Sequence, residues 1–144
     1  MSLPSTQTII EDLEFFDDWE ERYKYIIDLG EDMSKMDEAL QTPDRLVKGC
    51  QSNVWIDVKN KDDGKLTFDV DSDAIIVRGL LALVMAAYND KTAEQIAAFD
   101  IEKYFTELDL EQHISPTRGN GLKAIVTKIQ TIANAILSST ATNA

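Results

Sequence analysis

Cysteine is nearly missing from this chain: 144 residues hold one, Cys50. A lone thiol cannot close an internal disulfide, so nothing points to an oxidising compartment. With a single histidine, His113, it cannot supply the usual ligands of a structural zinc site or an iron–sulfur cluster. The phosphate-cradling patterns GxxxxGK[ST] and GxGxxG do not occur. Bases are scarce, 14 Lys and Arg against 26 Asp and Glu, for a net charge of −12. Such a surface repels nucleic acid, which is bound through clustered Lys and Arg. The longest strongly apolar stretch, residues 79–88, is ten residues, about half of what a membrane span needs. Met1-Ser2-Leu3-Pro4 lacks the basic segment and apolar run of a signal peptide. A cytoplasmic protein that binds neither nucleic acid nor membrane is expected.

What the chain does hold is enough apolar material for a core. Apolar residues make up 44% of it, and a chain of this size buries about 70% of its unfolded surface. One domain over residues 1–144 is expected, with its core at about 5–137 and a frayed tail at 138–144. The acidic clusters at 11–21 and 28–38 read as solvated helix faces. Docking to a basic patch on a partner is the sharper alternative.

Each of the three prolines punctuates a helix. A helix starts after Pro4, with Ile9, Ile10, Leu13 and Phe16 on one side. Trp19, Tyr23, Ile26 and Ile27 repeat the pattern, Gly30 stands where a helix would cap, and residues 31–40 read as a short acidic helix. Pro43 ends it. Three strands are expected next: 45–48, 53–59 and 66–70, the last two joined through the Asp63-Gly64 turn. They form an antiparallel meander with one covered face. Ser72 reads as the N-cap of a helix with Asp73 in its first turn. From Ala74 to Ala87 that helix is apolar nearly all round apart from Arg78, so it packs across the sheet. Thr92 and Gln95 spell a capping box, and residues 101–108 form another short helix. Ser115-Pro116 opens the last long helix, whose stripe runs Leu122, Ile125, Val126, Ile129, Ile132, Ala133, Ile136.

The segment from Arg45 to Ile56 carries the only candidate for chemistry. Leu46, Val47, Val54 and Ile56 anchor both arms in a core, leaving residues 49–52 as the joining loop. A lone cysteine is most often a small buried hydrophobe. Here its neighbours Lys48, Gly49, Gln51, Ser52 and Asn53 are polar or small, which suits a loop that presents a thiol. His113 as base for Cys50 would make a thiol enzyme, but the sequence does not bring the two together. A thiolate alone suffices for sulfur transfer, by exchange with a persulfide on another protein.

The block GCQSNVW at 49–55 resembles the SufE/CsdE family of sulfur-acceptor proteins. The likeness continues in WEERYKYIIDLG at 19–30, DSDAIIVRGLLALV at 71–84 and SPTRGNGLKAI at 115–125, spanning roughly Ile9 to Ala135. It implies an α+β fold, a two-layer α/β sandwich with a small three-stranded antiparallel sheet covered by helices, like the IscU-type scaffolds. It also implies a sulfur carrier, not an enzyme. Cys50 would take persulfide sulfur from a cysteine desulfurase of the SufS or CsdA type, stimulate that enzyme, and pass sulfur toward iron–sulfur cluster assembly. The pyridoxal phosphate belongs to the desulfurase, and no cofactor is expected here. Gly49, Gln51 and Ser52 match the family's loop, and Asp73 and Arg118 match polar positions near it and the partner-facing surface. By residue type alone, Asp73 would be a helix-dipole acid and Arg118 an exposed helix-start charge. In the family the resting cysteine is tucked into an apolar cavity, so the loop must move outward to react. Three matters stay open at this level: a CsdE-type route feeding another pathway such as tRNA modification, a contact with a cluster scaffold complex, and a homodimer. A stand-alone thiol enzyme and a pure interaction domain are the readings from other classes.

Overall fold

Among the described residues, two α-helices precede the first two strands, one separates them from the third, and three follow it. The computed structural model describes residues 3–33, 35–49, 52–60, 63–110 and 112–143, with side chains through 138. Cys50 and Gln51 lie outside the described residues. Ser5 accepts the Thr8 N–H and caps α1 (Thr6–Phe15). Asp18 likewise accepts the Glu21 N–H at the start of α2 (Trp19–Asp32). β1 (Val54–Asn60) and β2 (Lys65–Ser72) follow, then α3 (Ile75–Tyr88), β3 (Lys91–Thr92), α4 (Ala93–Ala98), α5 (Ile101–Glu107) and α6 (Pro116–Asn143).

The described sheet is antiparallel, in the order β1-β2-β3. The third strand is not the one expected. Residues 43–45 form a 3₁₀ turn, and Leu46 makes only an isolated bridge to Trp55. The sheet is completed instead from the far side, where Lys91 and Thr92 pair with Leu66 and Lys65. Two residues carry too little periodicity to be read as a strand.

Val54 and Ile56 on β1 and Leu66, Phe68 and Val70 on β2 turn one face of the sheet into the core. There they meet α3, buried continuously from Gly79 to Met85, and α6 through Leu122, Ile125 and Ile129. Burial in this shared layer stabilises the fold by roughly 25 cal/mol per Å² of apolar surface removed from water. Ile132 and Ile136, expected on the α6 stripe, are only partly buried.

Gly30 does not cap α2. It is buried inside the helix, where a Cβ would lie 2.5 Å from the Gly79 nitrogen, while a Cβ on Gly79 would lie 2.5 Å from the Ile26 carbonyl oxygen. The two glycines let α2 and α3 cross backbone to backbone. The acidic helix expected at 31–40 is likewise absent: α2 ends at Asp32, and only Glu38–Leu40 turns again, as 3₁₀. Ser72 ends β2 instead of capping α3, which begins at Ile75 after Ala74. The tail expected to fray continues α6 as helix to Asn143.

The α2 C-terminus is tied down by the one charge in α3. Arg78 pairs with Asp71 and donates to the carbonyls of Gly30 at 2.8 Å and Met33 at 3.0 Å. Asp71 in turn accepts from the backbone N–H groups of Met36 at 3.0 Å and Ser72 at 2.8 Å. A buried charge pair is tolerable when its remaining valences are met in this way.

Candidate functional site

Gly49 and Ser52 bracket Cys50 and Gln51, and the fold holds both ends of that loop. On the entry side the Val47 N–H donates to the Val54 carbonyl at 2.8 Å, fastening the buried Val47 to the start of β1. Gly49 then has φ +96°, a left-handed angle suited to glycine. Its missing Cβ would sit 3.3 Å from the Ala124 Cβ on α6. On the exit side, the Asn53 N–H donates to Asp73 Oδ1 at 3.2 Å and the Asp73 N–H donates to the Asn53 carbonyl at 3.3 Å. Asp73 therefore sits one residue before the helix cap, where it clasps the base of the loop.

Ser52 lines a cleft of about 90 Å³. Val54 of β1, Val77 and Leu80 of α3, and Leu122 and Ile125 of α6 form its apolar walls; Thr117 and Arg118 stand on its exposed rim. Both rim residues belong to the first turn of α6, where Ser115 Oγ accepts the Arg118 N–H at 3.2 Å. The N-terminal end of a helix carries partial positive charge, and the Arg118 guanidinium adds a full one. In a chain of net charge −12, Ser52 at the exit of that loop therefore shares its cleft with a locally positive rim.

The expected residues thus divide cleanly. Ser52 and Arg118 share the cleft, Gly49 packs on its α6 side, and Asp73 pins the loop from the other. His113 is occupied elsewhere: its ring stacks on Trp19 at 3.9 Å, its Nε2 lies 3.5 Å from Asp109 Oδ2, and its carbonyl accepts from the Tyr23 hydroxyl. It lines no part of the cleft. Asn53, Val77, Thr117 and Ala124 were not singled out by sequence. Asn53 stood inside the recognised block and could have been; the others acquire a role only when α3 and α6 meet.

Replacing Asp73 with alanine should free the Asn53 N–H. A hydrogen bond to a charged acceptor contributes about 1.5 kcal/mol, so exchange of the Asn53 amide should quicken roughly tenfold while core amides stay unchanged. Equal exchange at Asn53 in both proteins would show that the clasp does not hold the loop.

The residues that match across the chain decide its kinship. Residues 7–133 fit the family described as "SufE: Fe-S metabolism associated domain". The chain belongs to the SufE family. It is 41% identical over 131 residues to an uncharacterized SufE-like protein of Rhizobium etli, a match covering 89% of this chain and 88% of that one. The solution structure of a hypothetical protein from Thermus thermophilus superposes with a TM-score of 0.75, covering 96% of this chain and 99% of that one at 16% identity. That likeness is one of fold, the α+β arrangement with a three-stranded antiparallel sheet. The SufE family is one of accessory sulfur-transfer proteins associated with iron–sulfur metabolism. Among the described residues no helix of this SufE-family chain is long and apolar enough to cross a membrane, and no cluster of three His, Asp or Glu could hold a metal ion.

Proposed function

We propose that this SufE-family protein accepts persulfide sulfur on Cys50 from a cysteine desulfurase and carries it toward iron–sulfur cluster assembly. The Cys50 thiolate attacks the terminal sulfur of the donor's cysteine persulfide. The donor's S–S bond breaks as the new one forms, and the donor cysteine leaves as a thiolate. Nothing is oxidised or reduced overall, and the proton Cys50 gave up is available to the departing thiolate. One acceptor cysteine suffices, and removing the persulfide frees the desulfurase for another turnover. The enzyme's pyridoxal phosphate does the preceding chemistry in the partner, and this chain needs no cofactor of its own.

The observation that carries the reading is the placement of Gly49 and Ser52. Gly49 lies beside Ala124 of α6, and Ser52 lines an apolar cleft whose rim is Arg118 and the positive end of α6, which supports a thiol between them being presented there. Apolar walls suit a persulfide sheltered from water, and the positive rim suits the anion before and after transfer. Gly49, Gln51 and Ser52 make the loop, Asp73 restrains it, and Arg118 faces the partner. We place this exchange in the cytoplasm. A CsdE-type branch would use the same first step with a different final acceptor.

The test is an intact mass after incubation with a cysteine desulfurase and free cysteine. The wild-type protein should gain one or more sulfur atoms, lose them on reduction, and speed sulfide release by the enzyme. Cys50→Ser should do neither while keeping its fold. Equal stimulation by Cys50→Ser would remove the proposal.

A further inference from the structure

Folded chains leave single apolar side chains at the surface without consequence, so position decides which of them matter. Among the described residues three large ones stay exposed: Phe15 at 82%, Ile75 at 63% and Leu46 at 37%. Phe15 closes α1 and packs edge-on against Phe16. The other two flank the thiol loop. Leu46 stands three residues before Gly49 and is bridged to Trp55 of β1. Ile75 stands two residues after Asp73, whose backbone and carboxylate grip Asn53 on the exit side.

Folding does not account for an apolar residue at 75. Ile75 is the first residue of α3, where an acid would gain from the helix dipole and a short polar side chain would answer an N–H. That first turn holds no acid, and Ala74 before it makes no side-chain capping bond. A β-branched residue is also a weaker helix former than a straight-chain one. From this exposed start the apolar run continues inward, for Ile76 is partly buried and Val77 lines the cleft with Ser52. Around it Lys48, Asn53, Asp73 and Arg118 are polar and exposed. An apolar centre inside a polar border is the make-up of a protein–protein interface.

Distance fixes what can cover these side chains. An extended chain advances at most about 3.6 Å per residue, so Leu46 lies within about 11 Å of Gly49. Asp73 is one strand spacing, about 5 Å, from Asn53, which places Ile75 within about 12 Å of it. A partner in an interface of ordinary size covers about 800 Å² of this surface, a patch roughly 16 Å in radius. A protein that carries a persulfide to the thiol between Gly49 and Ser52 must therefore cover Leu46 and Ile75 as well.

We infer that Leu46 and Ile75 are the apolar anchors on which a persulfide-bearing protein seats itself over the thiol loop, one on each side of it. The inference rests on the sulfur-transfer reading and adds to it the side chains that hold the donor. Ile75, the more exposed, has more surface to lose to the partner and is the stronger anchor. Neither side chain touches the sulfur that moves, so their effect falls on association and not on the exchange itself.

The test titrates the full chain into a cysteine desulfurase at saturating cysteine and follows sulfide release. Ile75→Asp should raise the half-saturating concentration about tenfold and Leu46→Ser about threefold, with the same maximal rate in each. Ile75→Ser, which adds no charge, should raise it in the same direction, and Ile75→Leu should restore the wild-type value. Phe15→Asp is the control and should leave the titration unchanged. Sulfur gain on Cys50 from glutathione persulfide, a donor too small to need a seat, should run at the wild-type rate in every variant. Unchanged half-saturation in Ile75→Asp and Ile75→Ser, or an equal rise in Phe15→Asp, would overturn the assignment. So would an equal slowing with glutathione persulfide, since the substitution would then have disturbed the loop itself. A wild-type chain that gains no sulfur from either donor sinks the sulfur-transfer reading and this inference with it, whereas gain in the wild type with unaltered variants removes this inference alone.

Discussion

Gly79→Ala should be the most damaging single-methyl change in this protein, lowering its stability by about 3 kcal/mol or more. Overpacking a core ordinarily costs about 1–3 kcal/mol because side chains can shift aside. Here the added carbon meets the Ile26 carbonyl oxygen at 2.5 Å and the Ile26 carbonyl carbon at 2.9 Å, so backbone must move. α2 and α3 would have to separate, loosening every contact between them, including the Arg78 bonds to the end of α2. Gly30→Ala meets the Gly79 backbone at 2.5 Å and should behave alike. Gly64→Ala is the control. Nothing lies within 4 Å of its added carbon, but its φ is +84°, so it should cost only about 1 kcal/mol through conformation. Urea denaturation of the three variants checks the order. If Gly79→Ala is no worse than Gly64→Ala, the close crossing is not real.

Arg78→Met should cost about 3–5 kcal/mol, the usual penalty for stranding one member of a buried ion pair. For a chain of this size that is a fall in Tm on the order of 10 °C. Asp71 would keep its two backbone donors but lose its counter-ion, and the Gly30 and Met33 carbonyls would lose their Arg78 donor. Adding Asp71→Asn should recover part of the loss by removing the uncompensated charge, which a thermal melt of the double variant would reveal. The change also reaches the loop at 49–52. Asp71 lies at the end of β2 and Asp73 just beyond it, so the Asn53 amide should exchange faster in Arg78→Met at temperatures where the core is still protected. If Asn53 loosens only with the core, Arg78 stabilises the fold without steadying the loop.

Local chemistry made much of the fold legible. Ser5, the Thr92–Gln95 capping box and Ser115 announce helix starts because a short polar side chain answers an orphan N–H within three residues. The alternation through β1 and β2 is likewise visible within a few residues. The misreadings share one cause. Gly30 reads as a stop because glycine often ends helices, yet its reason lies 49 residues away at Gly79. Residues 45–48 look like a strand beside 54–56, but that edge is bridged only at Leu46 and the third strand comes from Lys91–Thr92. Arg78 is conspicuous as the one charge in an apolar helix, although its partner Asp71 is not.

By itself, the order of residues determined the family, through GCQSNVW and the blocks that accompany it. It also determined where helices begin, since caps and alternation are settled by neighbours along the chain. Only the tertiary structure decided what surrounds that loop. The cleft between β1, α3 and α6, the Asn53–Asp73 clasp and the Gly30–Gly79 crossing join residues far apart in the chain. Their energies depend on distances that no local pattern encodes.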